Sequence, residues 1–105
     1  MTRRVNLHRW DDLPLEKITE MVARKVVVSA HFRLTQAYFK KGAAVPVHAH
    51  ARDVMVYVLQ GALSITIEHE DITVREGEVL VVAAGSRHQA ESLDDTFVMT
   101  FGALE

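Results

Sequence analysis

A chain of 105 residues that is 49% hydrophobic and 25% charged has the size and composition of one folded domain around a modest core. Its 12 basic and 14 acidic residues leave a net charge of −2 and are scattered, which argues against nucleic acid and anionic membranes as partners. It has no cysteine, which excludes disulfides, thiolate metal sites and a cysteine nucleophile and suits a cytoplasmic protein.

Taken in chain order, the N-terminus "MTRRVNLHRWDDLP" lacks the apolar core of a signal peptide. "DDLPLEKITEMVARK" predicts one or two helical turns around Glu16–Ala23, with Asp11 or Asp12 as the cap. From Lys25 onward the pattern is of short strands between turns. "KVVVSAHFRL" and "TQAYFKK" run up to Gly42. "VPVHAHA" alternates, with Val45, Val47 and Ala49 on one side and Pro46, His48 and His50 on the other. "DVMVYVLQ" ends at Gly61. "LSITIE" sets Leu63, Ile65 and Ile67 against Ser64, Thr66 and Glu68, and "HED" (69–71) then turns into "ITV". Arg75–Glu78 is a turn built on Gly77, followed by "VLVVA". Gly85 turns the chain into "HQAES", and Leu93–Asp95 turns it into "TFVMTF". The longest apolar run, Val79–Ala84, is far too short to span a bilayer. This spacing predicts an all-β single domain, a barrel or sandwich rather than βαβ units.

Histidine is the anomaly among the polar residues, with six in the chain. His48 and His50 stand two apart, which on a strand puts them on one face roughly 6.5–7 Å apart. An imidazole from an adjacent strand can close the triangle, and His88, opening a strand after "AAGSR", is the candidate. Three neutral imidazoles suit a divalent transition metal such as Zn, Fe, Ni, Mn or Cu and leave positions for water or substrate.

The same residues resemble the cupins, small jelly-roll (RmlC-like) β-barrels. The first cupin motif is a glycine, five residues, His-x-His, three or four residues, Glu, six residues and a closing glycine. Here Gly42, "AAVPV", His48-Ala49-His50 and Gly61 match it. The second is a glycine, five residues, Pro-x-Gly, two residues, His, three residues and Asn. Gly77, "EVLVV", Ala83-Ala84-Gly85, "SR", His88, "QAE" and Ser92 follow it, with Ala83 for proline and Ser92 for asparagine. The resemblance runs from about Val26 to Phe101 and implies a cupin barrel over 26–101, with residues 1–25 as an N-terminal arm of one 1–105 domain. It implies a metal held by His48, His50 and His88. The family's metal-binding glutamate falls on Val54, or in the alternative register on Asp53 or Met55.

The lead-in and the ending also resemble the short cupins linked to unsaturated uronic-acid processing in pectin and alginate breakdown. Where those carry an aspartate on the last strand, this chain has Thr100. Arg52 and Arg87 flank the histidines and are candidates to meet an anionic ligand at the barrel mouth. His31 is expected on a strand surface, though the barrel interior is open to it, and His8 and His69 are expected in solvent. Tyr57 is expected to pack rather than catalyse, and Trp10, Leu13 and Leu15 to cover a barrel edge or a partner subunit. No residue stands out as a catalytic acid, base or nucleophile. Two functional classes stay open: a metal-dependent enzyme on a small oxygenated metabolite such as a sugar acid, and a non-catalytic metal- or metabolite-binding barrel. A homodimer is expected in either case.

Overall fold

The computed structural model describes residues 5–104, so the ends of the expected 1–105 domain lie outside the described residues. A single 3-10 turn at Trp10–Asp12 precedes ten strands. These are β1 (Glu16–Lys17), β2 (Val22–Val28), β3 (Phe32–Phe39), β4 (Ala44–His48), β5 (Val54–Gln60), β6 (Ala62–Ile67), β7 (Glu70–Arg75), β8 (Val79–Val82), β9 (His88–Ser92) and β10 (Thr96–Ala103). They form two antiparallel sheets, ordered β1-β2-β3-β10-β5-β8 and β4-β9-β6-β7, with a cavity between them. This is the all-β jelly roll that the strand spacing and motifs implied.

The helix expected around Glu16–Ala23 does not form. Glu16 and Lys17 pair with Arg24 and Ala23 instead, closed by hydrogen bonds from the Ile18 and Thr19 N–H groups to the Val22 carbonyl. An isolated helix of two turns is marginal, whereas the open edge of β2 offers backbone partners to any extended segment beside it. The polar turn expected at 69–71 is a tighter one at Glu68 and His69, both with positive φ, so β7 already begins at Glu70.

The core follows from period-2 alternation. Leu63 and Ile65 of β6, Val74 of β7, Val56 and Val58 of β5, Ala37 of β3 and Val98 of β10 form one buried cluster. Val58 and Val98 face each other across the β5–β10 ladder and are 0% and 1% exposed. Each such aliphatic side chain contributes about 1.5–3 kcal/mol by leaving water. Along β5 from Val58 to Val56 to Val54, burial falls to a half-buried residue as the core gives way to the cavity. The first motif's closing glycine is required sterically. Gly61 has φ +86, and a Cβ there would lie 2.5 Å from the Asp95 carbonyl oxygen.

Candidate metal centre and cavity

Strand pairing puts the first two histidine positions together. His48, the last residue of β4, stands opposite His88, the first of β9. The ladder shifts between them: Val45 pairs with Ala90 and His48 with His88, so β4 uses one more residue than β9 over that stretch. This bulge corrects the simple alternation read from "VPVHAHA", because Val45 and His48 both line the cavity. His50 lies just beyond β4 in a loop stitched to the turn that precedes β9. The Gly85 N–H donates to the His50 carbonyl at 2.8 Å, and the Ala84 N–H donates to the Asp53 carboxylate at 2.8 Å. Both motif loops are thus fixed against each other, and the third imidazole is held beside the first two.

The ring centroids are 4.2 Å apart for His48 and His88, 4.9 Å for His48 and His50, and 5.7 Å for His50 and His88. One ring nitrogen from each falls within 4.8 Å of the others, an arrangement positioned to hold a metal ion. The donor chemistry fits an ion as well. Nδ1 of His48 lies 3.0 Å from the Pro46 carbonyl, and Nδ1 of His88 lies 2.9 Å from the Ser86 carbonyl. A carbonyl oxygen only accepts, so each Nδ1 carries the proton and each Nε2 keeps a free lone pair. Burial pushes the His88 pKa down, and the charges of His48 and His50 lower it further, against the opposing effect of the Ser86 carbonyl. The neutral, ligating form is therefore favoured.

The three residues at the family's glutamate position separate cleanly. Val54 faces the cavity, in step with Val56 on the same strand. Asp53 is tied to the Ala84 N–H, and Met55 points outward at 48% exposure. Among the described residues, the group of donors able to share an ion is His48, His50 and His88, with no carboxylate in it.

The cavity measures about 570 Å³. His31 sits exposed in the β2–β3 turn, and His8 and His69 are exposed. Arg52 and Arg87 are exposed and do not line the cavity. Tyr57 is 40% exposed on the outer face, so it does not pack in the core. Trp10 is half-buried, and its carbonyl accepts from Lys25 Nζ at 2.7 Å. Ser92, in place of the motif's asparagine, is a buried brace: its hydroxyl accepts from the Ala43 N–H at 2.9 Å and donates to the Lys40 carbonyl. Thr100 lines the cavity. So do Arg24, Arg33 and Thr35, which sequence reasoning missed. The signal that finds them is the β3 register, in which Arg33, Thr35 and Ala37 share the inward face, with Arg24 of β2 paired to Ala37.

The cupin domain family (Cupin_2) matches residues 36–101. The chain belongs to the cupins. No curated protein matches it at the sequence level. Solved cupin structures superpose closely. The structure of KdgF from Halomonas sp. has a TM-score of 0.87 at 23% identity, covering 96% of this chain and 94% of that one. An RmlC-like cupin from Shewanella frigidimarina gives 0.87 at 18% identity, covering 98% and 94%. A cupin superfamily protein from Desulfitobacterium hafniense gives 0.79 at 21% identity, covering 99% and 100%. No helix among the described residues of this cupin is long and apolar enough to cross a membrane.

Proposed function

We propose that this cupin binds a divalent transition metal through His48, His50 and His88 and presents it to a small oxygenated metabolite held in the barrel. The observation that carries the reading is the convergence of three ring nitrogens within 4.8 Å on the wall of a largely apolar cavity between the two sheets. When bound, such an ion polarises a ligand oxygen and lowers the pKa of water. The chain's own residues do the rest. The Pro46 and Ser86 carbonyls hold His48 and His88 in the ligating tautomer, and aliphatic side chains such as Val54, Val56 and Ile65 line the cavity with them. The sequence resemblance makes sugar acids the first class to try.

A second reading is a binder without turnover. It is favoured by one observation: no Asp or Glu among the described residues lines the cavity, so the chain offers no carboxylate as general base. Metal analysis of the purified protein, followed by a panel of sugar acids and thiol acids with and without added metal, tests both. We expect about one ion per chain. Metal-dependent turnover selects the enzyme, metal without turnover selects the binder, and absence of stoichiometric metal overturns the site.

The proposal extends to one 1–105 domain acting as a cytoplasmic homodimer. The six-stranded sheet supports the dimer, because its outer face exposes Met55, Tyr57, Val79, Val81 and Phe101.

A further inference from the structure

The charge lining the cavity is one-sided. Arg24 and Arg33 line it together with the three histidines, and among the described residues no Asp, Glu or Lys does. The two arginines differ in availability. Arg24 Nε donates to the Glu16 carboxylate at 3.1 Å and is neutralised there. Arg33 has no ion pair among the described residues. It stands at the exposed rim, on the inward register of β3 two residues from Thr35, with Gly102 as its partner on β10. Gly102 in turn faces Val54 on β5. The tier therefore reads guanidinium, no side chain, valine, so no side chain of β10 stands between Arg33 and Val54.

A guanidinium carries five donors and no acceptor, in a planar fork that matches a carboxylate. One unpaired guanidinium balances one unit of negative charge, which suits a carboxylate better than a phosphate dianion. The rest of the wall is mostly hydrocarbon, from residues such as Val56, Ile65, Ala90 and Val98; besides Arg24 and the three imidazoles, its polar side chains are the hydroxyls of Thr19, Thr35 and Thr100. A sugar ring buried against such a wall leaves most of its hydroxyls without partners, and each unpaired polar group opposes binding.

We propose that the cavity takes a small carboxylic acid with a hydrocarbon body, its carboxylate held by Arg33. The proposal rests on the reading of the barrel as a ligand site and narrows its substrate class: the acid is kept and the sugar is not.

The test is an NMR chemical-shift titration of chelator-stripped protein with three probes of one ring size: cyclohexanecarboxylate, cyclohexylmethanol and galacturonate. We expect cyclohexanecarboxylate to shift cavity resonances and to bind at least roughly tenfold more tightly than either other probe, the scale of a charge-assisted hydrogen bond. Arg33→Gln is expected to erase its advantage over cyclohexylmethanol without weakening the alcohol, and Arg24→Gln to leave that advantage within about threefold. Galacturonate binding as tightly as cyclohexanecarboxylate, unchanged affinity in Arg33→Gln, or no binding of the acid overturns the proposal. Because no metal is present in the titration, its failure leaves the metal site standing, and loss of the metal site leaves this result standing.

Discussion

Gly102 stands directly opposite Val54 across the β10–β5 ladder, and a Cβ placed on it would come within 3.2 Å of Val54 Cγ2. The missing side chain gives position 54 its room on the inward face. Val54→Glu therefore directs a carboxylate into the cavity beside the histidines, where it completes the family's ligand set. We expect metal affinity to rise by at least about tenfold, the scale on which even outer partners tune such sites. Without metal, the buried acid costs about 1–3 kcal/mol. Asp53→Ala, by contrast, releases the Ala84 N–H, costing about 1 kcal/mol of stability and leaving metal affinity unchanged. Competition with a chelator and urea denaturation read the two effects. Unchanged affinity in Val54→Glu with a large loss in Asp53→Ala would instead make Asp53 the ligand.

His88 is the histidine with the most to lose. It is 7% exposed and faces both other rings. His88→Ala is expected to abolish stoichiometric metal while keeping the fold, because the core cluster of Val58, Val98, Leu63 and Ile65 does not include it. The stability cost is expected at about 1–2 kcal/mol. Metal analysis and circular dichroism measure the pair of outcomes. Full occupancy in the variant refutes the site.

The pH dependence has a definite sign. Burial first, and then the charges of His48 and His50, hold the His88 pKa below the ordinary histidine value. Between that value, about 6.5, and the lower folded one, the unfolded chain binds more protons than the folded chain. The contribution of His88 to stability is thus complete above about pH 6.5 and is lost as pH falls through the folded pKa. Metal affinity is expected to fall in the same direction, since protonated imidazole does not ligate. Denaturation of metal-free wild type and His88→Gln across this range checks the sign. A steeper loss in acid for the variant than for the wild type contradicts it.

The outer face of the six-stranded sheet carries the dimer expectation. Val79 and Val81, each 55% exposed, lie on its edge strand β8, next to Met55 and Tyr57 on β5. A charge within this patch should separate the protomers without touching the cavity. We expect light scattering to give a dimer for the wild type and a monomer for Val81→Glu, with metal content unchanged. A wild-type monomer at high micromolar concentration ends the idea.

Much of this molecule was legible in the chain because the features were local. Positive φ at Gly42, Gly61, Gly77 and Gly85 explains why glycine stands at the fixed motif offsets, and alternation along "LSITI" places Leu63 and Ile65 inward as the pattern demands. Those offsets also marked His48, His50 and His88, since register follows from turn positions. Other features were decided only by long-range pairing. The extra residue in β4 turns Val45 and His48 to the same side, a shift that only its pairing with β9 reveals. Backbone partners along the edge of β2 make Glu16–Lys17 a strand, although its own sequence reads as helix. The first half of β3 inverts the usual rule: Phe32 and Leu34 face outward while Arg33 and Thr35 face the interior, and only from Ala37 onward does the inward face become apolar. Hydrophobic periodicity reports which face of a strand is apolar, not which face is inside. When the interior holds a partly polar cavity and the exterior an apolar patch, only the tertiary packing tells the two apart.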